Sequence, residues 1–347
     1  MRDPVRRAVP QLVAPSLSAR QAALERAGDR QAHDAYLAAW PCMAAIEAVQ
    51  PEIAARPERL KIAAWNMERC CHVEASAELI RDSGAEIVLA TEMDVGMARS
   101  GQRDTVRDLA RLLGMGWVFG VEFVELRLGN PSERRRCAGQ VNASGLHGNA
   151  ILSRVPLRDA ALIPLDKGGD WYAGSPKGDG QRRVGGRMAV SARVETGFGP
   201  VAVASVHFES ESDPAGRAVQ AARLAGQMQR IYGDGPCVIG GDLNTHAFHD
   251  AGVDAATMLA DPEETEPAFR IFADAGFEWR DANTGLPTTR LHPHDPPTRP
   301  VTAIDWLLTR GVATRDPAIV PALGADLTTL SDHEMIVATV GAEGRME

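Results

Sequence analysis

The sequence predicts an α/β fold whose strands deliver polar side chains to one end of a parallel or sandwich-type sheet. Three observations point there. Apolar or β-branched runs repeatedly stop at a single Asn, Glu, His or Asp, which core packing alone does not require. Between two of these runs, Asp213-Pro214 supplies an N-cap and a first-turn proline for a helix reaching about Ile231, which makes a strand-helix-strand unit. Finally, 347 residues at 44% hydrophobic content suffice for one large core with an extension.

From the N-terminus, residues 1–17 hold Pro4, Pro10 and Pro15 among arginines and read as a loose arm. Residues 18–58 form a helical extension: Ala23-Leu24, Ala35-Tyr36-Leu37 and Ala44-Ala45-Ile46 suggest one or two amphipathic helices up to Val49, padding the core. The strand pattern begins near residue 59. Lys61–Trp65 runs into Asn66, Glu86–Thr91 into Glu92, and Pro200–Val206 into His207. Cys237-Val238-Ile239 leads through Gly240-Gly241 to Asp242-Leu243-Asn244, and Asp305 directly precedes the apolar Trp306-Leu307-Leu308. Asp242 and Asn244, two apart on an extended segment, share one face. A carboxylate and an amide so placed can orient a water and hold a phosphoryl oxygen. Turn chemistry explains that tripeptide equally well in isolation, so the repetition of such strand ends is what favours a site. The pattern closes near residue 341, leaving 342–347 as a tail.

Read as a set, Trp65-Asn66-Met67-Glu68, Ala90-Thr91-Glu92, Gly148–Ser153, Ser205-Val206-His207, Gly241–Asn244, Ile304-Asp305-Trp306 and Ser331-Asp332-His333 resemble the endonuclease/exonuclease/phosphatase superfamily of metal-dependent phosphoesterases, in its order. The resemblance implies an α/β four-layer sandwich, two packed mixed β-sheets flanked by helices, with a catalytic domain over 59–341 behind the N-terminal extension. It makes Glu92 the principal ligand of Mg²⁺ or Mn²⁺, with Asn66 beside it and Asp332 near it or near a second ion. Asp242 would orient or deprotonate the attacking water and Asn244 grip a phosphoryl oxygen. Asp305 and His333 would form a carboxylate–imidazole pair, and His207 would stabilise phosphoryl charge or protonate the leaving oxygen. Asn149 would support His207 or the phosphate, and Glu68 would either back the metal or be merely a loop carboxylate. Arg187, in Gln181–Arg187, could set a guanidinium against a substrate phosphate, although an exposed loop explains it about as well. A histidine at position 207, where apurinic endonucleases generally carry tyrosine, argues against abasic-site repair. The activity so implied is hydrolysis of a small or lipid-like phosphodiester or phosphomonoester by in-line water attack. A nuclease acting on DNA or RNA is the alternative, and a non-catalytic binding module the third.

A net charge of −9 disfavours nucleic acid as the partner without excluding a local basic patch. His147 reads as a solvated loop histidine, and His292 and His294 as residues of a proline-rich rim. Five scattered cysteines, an odd number, fit reduced thiols in a cytoplasmic protein. No apolar run approaches a membrane span, and Met1–Arg7 leads into proline and polar residues instead of a signal-peptide core. Substrate choice falls to the segments 126–147, 165–187 and 283–302, which carry no decodable motif, and oligomeric state is likewise not encoded in any pattern.

Overall fold

The computed structural model describes residues 2–52, 56–174, 177–293 and 295–342. In chain order its strands are β1 (Ala8–Val9), β2 (Ile46–Val49), β3 (Arg59–Arg69), β4 (Ile87–Val95), β5 (Gly116–Glu125), β6 (Leu146–Ser153) and β7 (Leu157–Pro164). They continue with β8 (Arg183–Gly185), β9 (Met188–Thr196), β10 (Gly199–His207), β11 (Cys237–Asp242), β12 (Asp305–Arg310), β13 (Ala313–Val320) and β14 (Met335–Gly341). One sheet runs β1-β2-β5-β6-β4-β3-β14-β13, with β8 paired to β5; the other runs β12-β11-β10-β9-β7. Both are mixed, since β3–β4 and β10–β11 are parallel while most other pairs are antiparallel.

Each sheet is buried on both faces, which is why β3, β4 and β11 are near-continuous apolar runs. Between the sheets, Ile62, Ala64, Leu89 and Ile151 meet Val190, Val203, Val238 and Leu307. Helices α3 (Val73–Ser83) and α4 (Thr105–Leu113) cover the outer face of the larger sheet through Val73, Ile80, Val106 and Leu109. The helices Pro214–Tyr232 and Ala268–Asp274 cover the smaller one through Leu224, Met228, Phe269 and Phe272. The four layers expected from the resemblance are therefore present. Gly240 lets the sheets approach: a methyl there would meet Leu89 Cδ1 at 2.8 Å and Ala64 Cβ at 3.0 Å. The Pro214–Tyr232 helix starts as read, with the Asp213 side chain accepting from Gly216 N at 2.7 Å.

The N-terminal region departs from expectation. Ala8–Val9, inside the supposed loose arm, pairs with Ile46–Glu47, and Ile46–Val49 is a strand antiparallel to β5, not helix. Burial decides this, because Ile46 is fully enclosed between the sheets and tertiary packing overrides an alanine-rich helical pattern. The expected helices do form, as α1 (Leu17–Glu25) and α2 (Arg30–Ala39), and they pad the outer core through Ala23, Ala32 and Leu37. Of the tail expected at 342–347, residues 343–347 lie outside the described residues. No helix among the described residues is long and apolar enough to cross a membrane.

Candidate active site

The smaller sheet supplies one wall. The registers of β10–β11 and β11–β12 set His207, Asp242 and Asp305 side by side on three adjacent strands at one sheet end. Gly241, at φ +142°, permits this, since a Cβ there would lie 2.0 Å from Val206 O. Asp242 Oδ1 accepts from Asn244 N at 2.8 Å and Oδ2 from Asn66 Nδ2 at 3.1 Å. His207 Nε2 and His333 Nε2 stand 3.5 and 3.8 Å from that same Oδ2. Burial and the charge of Asp305 push the Asp242 carboxyl up to about 7. Asn244, in the left-handed region at φ 51°, donates from Nδ2 to Phe208 O at 2.9 Å.

His333 Nδ1 donates to Asp305 Oδ2 at 2.8 Å, and Thr288 Oγ1 donates to the same oxygen at 2.6 Å. Burial opposes a charged His333 ring, but the charge and hydrogen bond of Asp305, with Asp242 and Asp332, hold its pKa well above the usual value. His207 is the opposite case. Its Nδ1 accepts from Arg187 Nη1 at 3.1 Å, which leaves the proton on Nε2, and burial together with that guanidinium keeps its pKa well below the ordinary range. Arg187 is itself clamped by Glu122 Oε1 at 2.6 Å and Glu209 Oε2 at 3.0 Å. Glu122 was not anticipated. A carboxyl inside Trp117-Val118-Phe119-Gly120-Val121-Glu122-Phe123 was the available signal, since a charge within a wholly buried strand needs a partner. Burial pushes this carboxyl up to about 7 against the pull of Arg187 and Arg183.

The larger sheet supplies the opposite wall. Both β3 and β4 break register just past Asn66 and Ala90, and Glu68 (φ 41°) and Glu92 (φ 57°) occupy the left-handed region within those irregularities. Asn66 Nδ2 reaches Glu92 Oε1 at 3.4 Å, while its Oδ1 accepts from Glu68 N at 3.1 Å. The amide nitrogen thus faces Glu92, and ligation of a cation through Oδ1 would require the amide to turn and release Glu68 N. Burial raises the Glu92 pKa, but the charge of Arg69 foremost, with that of His333, outweighs it and holds it well below the usual range. Arg69 Nη1 pairs with Glu92, and its Nε bonds Glu133 Oε1 at 3.0 Å.

Asn66, Glu68, Glu92, His207, Asp242, Asn244, Asp332 and His333 all line one cleft of about 560 Å³. Asp305 lies beneath it behind His333. Asn149 does not face it: fully buried, it donates to Met188 O at 3.0 Å and ties β6 to the residue after Arg187. Asp332 N donates to Glu68 Oε2 at 3.0 Å, and Asp332 Oδ2 takes Arg299 Nη2 at 3.1 Å. His292, read as a rim residue, lines the cleft and places Nε2 2.9 Å from Glu68 Oε2, whereas His294 lies outside the described residues. His147, read as solvated, is buried in β6 and also lines the cleft. Two groups of side chains could hold a metal ion, Glu68 with His292 and Asp332, and Asp242 with Asp305 and His333, the ligand atoms of each lying within 4.8 Å of one another.

A family profile described as the endonuclease/exonuclease/phosphatase family matches residues 63–333, from the strand bearing Asn66 through His333. The chain belongs to that family. No curated protein sequence matches it significantly. Among solved structures, the endonuclease/exonuclease/phosphatase protein of Beutenbergia cavernae is similar at TM-score 0.55 and 19% identity, over 83% of this chain and 72% of that one. The corresponding protein of Bacteroides vulgatus gives 0.53 and 16%, over 82% and 99%. The human Nocturnin catalytic domain gives 0.50 and 16%, over 85% and 96%. At these identities the likeness establishes the fold alone. The endonuclease/exonuclease/phosphatase family comprises phosphodiesterases, nucleases and phosphatases, hydrolases that generally use a divalent metal.

Proposed function

We propose that this chain is a divalent-metal-dependent phosphoesterase that hydrolyses a small, polar phosphodiester or phosphomonoester by in-line attack of water. What carries the reading is the row His207–Asp242–Asp305, with His333 between the two carboxylates, facing Glu92 and Asn66 across one cleft. Asp242, with a carboxyl near neutrality and both oxygens fixed by Asn66 and Asn244, takes a proton from the attacking water. The His333 cation, held by Asp305, directs Nε2–H at a phosphoryl oxygen. Neutral His207, its tautomer set by Arg187, donates Nε2–H to another. Asn244 keeps its second amide hydrogen for the same group. A divalent cation held by Glu92, with Asn66 and Asp332 at hand, would supply Lewis-acid stabilisation of the developing charge.

Trp171, Pro300 and Ile304 are the apolar side chains among the residues lining this cleft, which favours a water-soluble ester over an acyl chain. Nucleic acid is the weaker alternative, because Arg69, Arg183 and Arg187 in the cleft are each already paired with carboxylates. All five cysteines are free, in keeping with a reducing, cytoplasmic setting. Hydrolysis of bis-(p-nitrophenyl) phosphate, p-nitrophenyl phosphate and plasmid DNA with Mg²⁺, Mn²⁺ or EDTA tests the proposal. We expect EDTA-sensitive cleavage of a small ester in preference to DNA. Inactivity across a broad panel would instead indicate a binding module.

A further inference from the structure

Glu92 already meets a donor at each of its oxygens. Arg69 Nη1 donates to Oε2, and Asn66 Nδ2 faces Oε1 at 3.4 Å. A guanidinium against a largely enclosed carboxylate supplies the positive charge that a metal ion would supply there. Arg69 and Glu92 both line the cleft, so this pairing stands where an incoming cation would have to bind.

The backbone and a second carboxylate both fix Arg69 in this place. Glu68, Arg69 and Cys70 are three successive non-glycine residues in the left-handed region, at φ 41°, 73° and 52°. Such residues ordinarily visit that region singly, so the surrounding structure must impose the turn. Cys70 is buried and its N donates to Met67 O at 2.7 Å, while Arg69 is in register with Met93, the residue after Glu92. From behind, Glu133 Oε1 accepts from Arg69 Nε at 3.0 Å. Glu133 Oε2 is in turn held by Asn130 N at 2.7 Å and Arg99 Nη1 at 3.2 Å, and Arg99 donates to both oxygens of buried Asp94 at 2.8 Å. Burial works against the Arg69 charge, but Glu92 and Glu133 hold its pKa above the usual guanidinium range. The cation at Glu92 is thus anchored by a network that Glu92 does not itself hold together.

We infer that Arg69 is a built-in counter-cation of Glu92, which a divalent ion must displace from Oε2 before this carboxylate can hold it, so that the chain binds metal more weakly than its oxygen donors alone would allow. The inference rests on the metal-dependent reading proposed above. A dication and a guanidinium repel strongly at contact distance, and the tie to Glu133 keeps Arg69 from withdrawing freely. Removing the guanidinium should therefore tighten metal binding, the reverse of what deleting a metal ligand does.

Titration of the full chain with Mn²⁺ in the absence of substrate, read from the loss of the free-ion EPR signal, tests it. Arg69→Gln and Arg69→Met should each tighten Mn²⁺ by about tenfold or more, and Arg69→Lys, which keeps a cation, by much less. The gain should vanish when Glu92→Gln is added. A gain that survives in the double variant would place the ion at one of the other two groups, Glu68–His292–Asp332 or Asp242–Asp305–His333, and overturn the inference. Unchanged or weaker Mn²⁺ binding in Arg69→Gln would overturn it too, leaving the phosphoesterase reading intact. Thermal unfolding gives a second readout: Arg69→Gln leaves Glu92 enclosed without its cation, so its midpoint should fall without metal and rise with Mn²⁺ by more than the wild type does. An Arg69→Gln chain that folds only with Mn²⁺ present is the same result in extreme form. No saturable Mn²⁺ binding by the wild type or any Arg69 variant would remove the metal reading and this inference together.

Discussion

The groups around Asp242 and His333 raise both pKa values, Asp242 to about 7 and His333 well above the ordinary imidazole, and the gap between them sets the expected pH dependence. Asp242 acts as a base only when ionised, so kcat/KM should rise as pH passes about 7. His333 must keep its proton, and with its pKa raised well above the ordinary value it should lose activity only at alkaline pH. Asp305→Asn removes the charge that overrides burial, so the alkaline limb should move to lower pH; a profile that stays in place would dissociate the pair. His333→Ala should reduce kcat/KM by roughly 10²–10⁴-fold, and the double variant should be little worse, because groups acting as a unit lose their joint contribution once. Additive losses in steady-state kinetics would contradict that. Glu92→Gln keeps the shape but removes the charge, and we expect activity to collapse while the thermal unfolding midpoint stays close to that of the wild type. These residues were legible because each ends or begins an apolar run. Glu122 and His292 were not, since their partners Arg187 and Glu68 are 65 and 224 positions away in sequence and nothing local marks the pairing.

The elements that hold these residues make predictions of their own. Arg217 of the Pro214–Tyr232 helix forms a two-pronged buried pair with Glu266, at 3.0 and 2.5 Å. Arg217→Met leaves that carboxylate enclosed without its cation and should cost about 3–5 kcal/mol in a urea unfolding titration. A loss under 1 kcal/mol would mean the pair is solvated in solution. Strands β3, β4, β10 and β11 could be read directly, because two-sided burial writes them as unbroken apolar runs. The short strand β2 could not: Ala44-Ala45-Ile46 has helical composition, and only pairing with β1 and β5 determines otherwise. The bulges that aim Glu68 and Glu92 leave no mark either, being backbone conformations imposed on ordinary residues by neighbouring strands.

At the scale of the molecule, the N-terminal extension is joined to the active-site loop. Tyr172 Oη donates to Ala23 O at 2.8 Å, and Gly185 N donates to His33 Nε2 at 3.1 Å, two residues before Arg187. His33→Ala should therefore accelerate hydrogen exchange in 166–187 and lower kcat, though His33 precedes the family match and is absent from the cleft lining. Unaltered exchange there would confine the extension to padding. The order of strands has a further consequence, for assembly. β14 is an interior strand, bonded to β3 on one side and β13 on the other, and its Ile336 pairs with Ala64. During synthesis β3 emerges early but waits for one of its two neighbours until residues 335–341 have been made. Through that interval its hydrogen-bonding groups face no strand on that side, and His333, two residues before β14, has not yet been made. The nascent chain thus carries an open strand edge through most of its translation, a period of exposure to mispairing that ends only when the last strand slots in beside one of the first.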